Sequence, residues 1–436
     1  MTRQTVCAKR VYQIKEFGSF ITGKEAAGYV TLPKRIFEQL ENFILTSRNG
    51  GAHEFMGISA RRGVGKVITA KNYVGVITMQ DGAVIEIMPK IYSAVSDGKN
   101  GALTKKLFID MLKTLRKMPY KIMQRSHVGI VRMNIFELFV RMFLDEVFSI
   151  VKRGIKCGYE TVEENSSFAR GKILIQRQIK INHSHKERVC AAYDTFSADR
   201  PENRIIKAAL ILLSTRSSSS RNRNDIKTLL EYFSGAAPSI NYSYDFSKCD
   251  QDGRRKDYSA ALSWSRVFLS GSTFSPFFGD ENVTTQLFPM ETLFESYTAE
   301  IVKKLLDTEN FEVSVQDRSF HLFDEPEKKF QMKPDIVVRR MTDGAVFIFD
   351  TKWKLLDESR QNWGISQSDM YQMFAYHKKY AAQSVSLIYP QTPAFPSGRT
   401  IRFKSDDAAA INVHFVDLFD MKNSVAKITS ELTLQP

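Results

Sequence analysis

Residues 331–356, QMKPDIVVRRMTDGAVFIFDTKWKLL, constrain this chain more than any other stretch. DIVVRR is rich in branched residues, Thr342-Asp343-Gly344 offers a turn, and AVFIFDTKW is a second apolar run. The segment therefore reads as a β-hairpin. Three polar residues interrupt it: Asp335 opens the first strand, and Asp350 and Lys352 lie near the end of the second. Side chains alternate along a strand, so Asp350 and Lys352 share a face that Asp335 can reach from the neighbouring strand.

Two carboxylates and a lysine converging at strand ends make a hard, anionic oxygen site with one cation beside it. Such a site suits Mg2+, which takes carboxylate, water and phosphate oxygens. The ion would lower the pKa of a bound water and stabilise charge growing on a phosphate. Lys352 would orient the attacking water or neutralise the phosphoryl oxygens. A strand-end salt bridge between Asp350 and Lys352 accounts for the same residues, and D-x-K alone does not separate the two readings.

The flanks add to the motif. Upstream, LFPMETLFESYTAEIVKKLL (287–306) spaces Met290, Leu293, Phe294, Tyr297, Ile301 and Leu305 as one buried helical face. Glu295 lies close to that stripe, as either a helix-edge surface group or a further metal ligand aimed at the hairpin. Downstream, SDMYQMFAYHKKY (368–380) reads as a second amphipathic helix, with Gln372 and Tyr376 four apart on one face. An amide and a phenol there are placed to contact substrate phosphate or to brace the lysine.

The order of helix with Glu, P-D strand, D-x-K strand and helix with Q-x-x-x-Y resembles the nuclease domain of the RecB-like branch of the restriction-endonuclease-like (PD-(D/E)xK) superfamily. LFESY, KPDIVV, FDTKWK and DMYQMFAY are similar to the C-terminal part of the McrC family, the nuclease subunits of McrBC-type modification-dependent restriction systems. AKNYVGVITMQDGAVIEIMPKI (70–91) and ERVCAAYDTFSADRPENRIIKAAL (187–210) resemble McrC segments too, so the likeness runs over roughly residues 55–420. It implies a Mg2+-dependent DNA endonuclease subunit with Asp335, Asp350, Lys352, Glu295, Gln372 and Tyr376 as its catalytic set, the metal lying at Asp335, Asp350 and Glu295. It also implies an McrB-like AAA+ GTPase partner, a hexameric ring that recognises modified, methylcytosine-type DNA. In that family the N-terminal region of McrC docks into the ring and stimulates GTP hydrolysis, and double-stranded DNA is cut after translocating complexes meet. The first 50 or so residues match nothing in the pattern, and the partner's modification specificity varies between systems. Some RecB-like relatives hold an iron–sulfur cluster on cysteines; no cysteine follows Cys249, so none is expected here.

The composition, 43% hydrophobic and 25% charged, is that of a globular chain long enough for two or three domains. The start lacks a signal-peptide pattern, and no stretch approaches the ~18 apolar residues of a membrane span. Cys7, Cys157, Cys190 and Cys249 are scattered, as free thiols in a reducing compartment would be. A cytoplasmic protein without membrane contact is expected. The net charge of +14 is uneven: residues 281–436 carry 18 basic and 22 acidic residues, so the first 280 hold a positive surplus suited to nucleic acid or acidic protein surfaces.

The expected fold is α+β multidomain: a β-rich N-terminal region (1–95), a helix-rich, partner-docking middle with a β-hairpin (96–279), and a C-terminal α/β restriction-endonuclease-like domain (280–436). In the first part, two apolar runs flank Gln80-Asp81-Gly82 as a hairpin. ARRGVGKV (60–67) departs from the phosphate-loop pattern at Ala60 and Val67 and reads as a basic glycine-rich turn. In the middle, SDGKNGALTKK reads as a linker, and KLFIDMLKTLRKM and NIFELFVRMFLDEVFSIVKRG as helices, the second closed by Gly154. GKILIQRQIKIN and RVCAAYDTFS read as a hairpin around His183-Ser184-His185, whose spacing matches no zinc pattern. A helix follows Pro201 with Asp199 as its cap, residues 214–224 read as a basic serine-rich loop, and Trp264 as core. In the last part, VSVQDRSF, SVSLIYP and INVHFVDLF read as further strands, with QTPAFPSGRT as a loop.

Two other functions remain open on sequence. The chain could be chiefly a non-catalytic assembly and activation module for the AAA+ partner, or a stand-alone RecB-like nuclease reading DNA through its basic N-terminal half.

Overall fold

The computed structural model describes residues 11–46, 52–79, 83–91, 100–115, 134–251, 257–269, 284–405 and 409–432. Helices and strands alternate throughout, a mixed α/β protein. It divides into two compact units, one built on Asn134–Thr285 and the other on Val11–Met79, Ala83–Met133 and Gln286–Pro436. Compactness thus groups residues from both ends of the chain. The turn at 80–82 and residues 92–99 lie outside the described residues.

The first unit is helix-rich. Its Ile135–Arg153 helix starts at Asn134, whose side chain accepts the Glu137 amide, and ends at Gly154 in a left-handed conformation (φ 92). Trp264 is buried between Phe139 and Phe268, with ring centroids 5.7 and 5.9 Å away, as core. Residues 214–224 correct the sequence reading. The Pro201–Arg216 helix runs into them and the Ser220–Tyr232 helix starts within them, capped by Ser219. The polar residues that suggested a loop are used on one buried carboxylate. Glu137 accepts from Ser217 Oγ at 2.7 Å, Ser218 Oγ at 2.9 Å and Asn222 Nδ2 at 2.9 Å. Burial opposes the charge of Glu137, yet these donors hold its pKa below the ordinary value.

Two more readings change here. The Pro201–Arg216 helix has Arg200 at its N-cap with no side-chain cap. Asp199 instead takes Arg204 Nε and Nη2 at 2.7 and 2.6 Å and the Ala237 amide at 2.8 Å. The hairpin partner of Val189–Ser197 is Gly158–Ser166, antiparallel, and only Lys172–Ile173 of the expected strand pairs on the other edge. Ile175–Ile181 is a helix, tied down where Gln178 Oε1 accepts the Cys190 amide at 2.7 Å.

The second unit begins with two four-stranded sheets. One has the order Tyr29–Leu32, Ser19–Thr22, Gly65–Ala70, Met56–Arg61 and includes the glycine-rich turn, where Gly63 and Gly65 take positive φ. The Lys34–Thr46 helix, not foreseen in the β-rich N-terminal reading, buries Phe37, Leu40 and Ile44. The other sheet has the order Val11–Lys15, Val84–Met88, Tyr73–Thr78, Thr284–Pro289. Gly75 is required there: a Cβ on it would lie 2.0 Å from the Gln286 carbonyl oxygen.

The C-terminal sheet positions the site. Its six strands run Phe311–Val315, Ile336–Arg340, Val346–Thr351, Ser384–Pro390, Ala410–Val416, Thr400–Lys404. Val346–Thr351, Ser384–Pro390 and Ala410–Val416 are mutually parallel, and the outer pairings are antiparallel. The parallel strands are almost wholly buried, as strands covered on both faces must be. Val346, Ile348, Val385, Leu387 and Val413 join Met373 and Tyr376 of the Gln367–Lys379 helix in one core. The Met290–Leu305 helix packs on the Val346–Thr351 strand and against the Met421–Ser430 helix. The QTPAFPSGRT segment ends in the Thr400–Lys404 edge strand, which its polar composition conceals.

Candidate active site

The hairpin closes at Gly344 (φ 73), where Arg340 holds Asp343 through two hydrogen bonds of 2.9 and 2.6 Å. Its register sets Ile336 opposite Phe349, which brings Asp335 beside Asp350 at the open end. The Gln316 amide donates to the Asp335 carbonyl at 2.8 Å, and the Lys352 amide donates to Ile388 at 2.9 Å, so the ladder extends past both residues. The acidic end is thereby fixed by backbone.

Asp350 is 2% exposed, and its Oδ2 lies 2.6 Å from Lys352 Nζ. The ammonium at that distance offsets part of the cost of burying the carboxylate. Lys352 Nζ also donates to Gln372 Oε1 at 3.3 Å, and Gln372 Nε2 donates to the Tyr376 hydroxyl at 2.8 Å. Asp335 Oδ2 accepts from the Thr351 amide and hydroxyl. Glu295 stands one step away, accepting Gln316 Nε2 at 2.7 Å. The structure thus joins Asp350, Lys352, Gln372 and Tyr376 directly, Asp335 through Thr351 and Glu295 through Gln316.

Electrostatics set these carboxylates apart. Burial, then the charge of Asp335, pushes Asp350 up to about 7. Burial raises Asp335 against the Thr351 hydrogen bonds, and burial followed by the Asp335 charge raises Glu295. Lys352 shows the opposite balance: burial disfavours its ammonium, but Asp350, Asp369 and Asp335 together raise its pKa. Moving an ion pair out of water costs several kcal/mol per ion, so the Asp350–Lys352 pair is a poor device for stability alone. A divalent cation would relieve the crowded negative charge. Among the described residues no three His, Cys, Asp or Glu side chains converge to hold an ion by themselves. The donor set still fits Mg2+, which binds through one or two carboxylates and fills its shell with water and substrate oxygens.

Asp369 does not stand out in the sequence. It lies in the first turn of the Gln367–Lys379 helix, where an acidic residue is ordinary, and Ser366 caps its amide. Its carboxylate is 4.0 Å from Lys352 Nζ and 2.9 Å from Lys354 Nζ. The available signal is its spacing three residues before Gln372, on the same helical face. Trp353 is the other new element: its indole N–H donates to both oxygens of Glu16 at 3.0 Å, and its ring meets Phe294 edge-on at 5.4 Å.

A family model for the McrBC 5-methylcytosine restriction system component matches residues 68–390. A chain of the refined half-complex from the tetradecameric assembly of Thermococcus gammatolerans McrB AAA+ hexamers with bound McrC is similar in fold. Its TM-score is 0.70 at 18% identity, covering 98% of this chain and 100% of that one. A chain of the cryo-EM structure of the Thermococcus gammatolerans McrBC complex gives a TM-score of 0.49 at 19% identity, over 68% of this chain and 88% of that one. No curated protein matches.

Fold and site together define a mixed α/β protein with paired carboxylates and a lysine at the end of a buried sheet. With three quarters of its length matched, the chain belongs to the McrBC 5-methylcytosine restriction system component family.

Proposed function

We propose that the chain is the Mg2+-dependent DNA endonuclease subunit of a GTP-dependent restriction complex directed at methylcytosine-type modified DNA, with a PD-(D/E)xK nuclease domain in its C-terminal sheet. The observation that carries this reading is the meeting of Asp335, Asp350 and Lys352 at one strand end. Asp335 and Asp350 would hold the ion, with Glu295 as the third carboxylate offered. When bound, Mg2+ supplies electrophilic stabilisation of the phosphate and a more acidic water. Thr351 fixes the Asp335 carboxylate. Lys352, kept protonated by the surrounding carboxylates, presents its ammonium to the phosphoryl oxygens. Gln372 accepts from that ammonium and is oriented by Tyr376, whose raised pKa keeps it a phenol.

The partner is assigned by likeness to the Thermococcus assembly: an McrB-like AAA+ GTPase ring. Exposed apolar surface in the first unit supports this. The Ile175–Ile181 helix buries none of its residues, with Ile175 and Ile179 about two thirds exposed, and the exposed rings of Tyr159 and Phe196 meet at a tilt on the neighbouring strands. Such surface marks an interaction site. The C-terminal region is net acidic, so delivery of double-stranded DNA by a partner suits it. No helix among the described residues is long and apolar enough to cross a membrane.

The test is cleavage of methylcytosine DNA by the full chain with an McrB-like partner, GTP and Mg2+, against Asp350→Ala. Cutting is expected only with the unaltered chain. Stimulated GTP hydrolysis without cutting would make the chain an activation module, and cutting without partner or nucleotide would make it a stand-alone nuclease.

A further inference from the structure

Next to the strand end that carries Lys352 lies a cavity of about 350 Å3, lined by Phe17, Trp353, Lys90, Lys354 and Arg360 around Glu16. Lys90, Lys354 and Arg360 are exposed, whereas Glu16 is 1% exposed, its carboxylate taken by the Trp353 indole and the Lys90 amide. Lys354 is paired with Asp369 at 2.9 Å and Arg360 with Asp357 at 3.8 Å, so a phosphate would bind there by displacing surface ion pairs, which are weak in water. Phe17 is 55% exposed and sits in the left-handed region (φ 61), which costs a bulky residue on the order of 1 kcal/mol. Gly364 also lines the cavity, and the two residues before it, Asn362 and Trp363, are non-glycine residues in the left-handed region. Strain of this kind collects where a ligand is clamped. Asp369 lies between the two sites, 2.9 Å from Lys354 Nζ and 4.0 Å from Lys352 Nζ.

We propose that this cavity takes an unpaired nucleotide of the DNA strand beside the bond to be cut, its phosphate among Lys90, Lys354 and Arg360 and its base against Phe17. The inference rests on the endonuclease reading. Cations that track a backbone, combined with an exposed ring that stacks a base, are what single strands bind. The arginine fork adds geometry suited to phosphate. An acidic protein segment would use the cations but leave the Phe17 ring without a role.

The test uses the full chain in EDTA, so that nothing is cut, with a short labelled single-stranded oligodeoxynucleotide and its abasic counterpart, read by fluorescence anisotropy at several salt concentrations. Lys90→Ala with Arg360→Ala should weaken binding about tenfold at ordinary salt and flatten the log–log salt slope by about 0.7 for each phosphate that is no longer neutralised. Phe17→Gly should weaken binding of the base-bearing strand roughly fivefold or more and leave the abasic one unchanged. Phe17→Gly keeps the left-handed backbone, and Lys90→Ala keeps the amide that holds Glu16, so both variants retain their local structure. Unchanged affinity in both, or equal loss for both oligonucleotides in Phe17→Gly, overturns the proposal. Failure of the endonuclease reading looks different: no cutting with Mg2+ and partner, while these affinity differences persist.

Discussion

Asp335 Oδ2 accepts both hydrogen bonds that Thr351 can give, one from its amide and one from its hydroxyl, each 2.7 Å long. Thr351→Val keeps the shape and the amide but deletes the hydroxyl. Outer partners of this kind set ligand orientation at a cost of about 10–100-fold when lost. The Mg2+ concentration giving half-maximal cleavage should rise about tenfold, and an unchanged Mg2+ titration would remove Thr351 from the site.

Asp350 is buried with its pKa pushed up to about 7, above the ~3.9 of an unfolded chain. A raised carboxyl contributes stability that is complete below the unfolded value and is lost as pH rises through the folded one. In EDTA the unaltered protein should therefore lose thermal stability between about pH 4 and 7 relative to Asp350→Asn, while the variant loses cleavage. Parallel melting-temperature curves across that range would contradict the assignment of Asp350.

Lys352 carries the only ammonium paired with Asp350 among the described residues. Lys352→Met should lower the cleavage rate by about 10²–10³-fold, the usual loss for one electrostatic stabiliser. Gln372→Ala and Tyr376→Phe touch only the lysine's supports and should lower it less. Single-turnover rates order the three, and a larger loss in Tyr376→Phe than in Lys352→Met would reverse the roles.

Ile175 and Ile179 project from a helix that buries nothing, so Asp at both positions leaves the core untouched. The double variant should lose most of its stimulation of the partner's GTP hydrolysis at an unchanged melting temperature. Full stimulation would move the docking surface elsewhere.

Glu137 accepts several hydrogen bonds in the first unit, among them those of Ser217, Ser218 and Asn222. Glu137→Ala leaves its buried donors without an acceptor and should cost about 3 kcal/mol, the upper end of the range for leaving a buried polar group unsatisfied. Its depressed pKa gives the opposite pH sign to Asp350: its contribution is present above the ordinary glutamate range and is lost as pH falls through the lowered value. Denaturant melts at neutral and acidic pH separate the two, and a variant loss that does not shrink in acid would contradict the network.

The hairpin was legible because charged residues interrupt an otherwise apolar strand pair, and only a few placements satisfy that. The strands at 384–390 and 410–416 were legible as branched runs, although the second ends at Val416, before the 3-10 turn at Leu418–Asp420. The Ile175–Ile181 helix was not, because ILIQRQIKI satisfies the strand period and the isoleucine spacing of a helix at once. Residues 214–224 misled because their serines and asparagine look solvated, while the carboxylate that needs them lies some 80 positions earlier. Asp369 was hidden by an ordinary role: only the fold shows that this first-turn acid faces Lys352 and Lys354.

The Tyr73–Thr78 strand is flanked in space by Val84–Met88, made within ten residues of it, and by Thr284–Pro289, made about 200 residues later. At ribosomal speeds of about 5–20 residues per second, the second neighbour arrives roughly 10–40 seconds after the first. During that interval the nascent chain carries an apolar strand without its second neighbour, the kind of edge that recruits another chain. Yield of the folded protein is therefore tied to the pace of its own translation and to whatever shields that edge until Gln286 comes to lie against it.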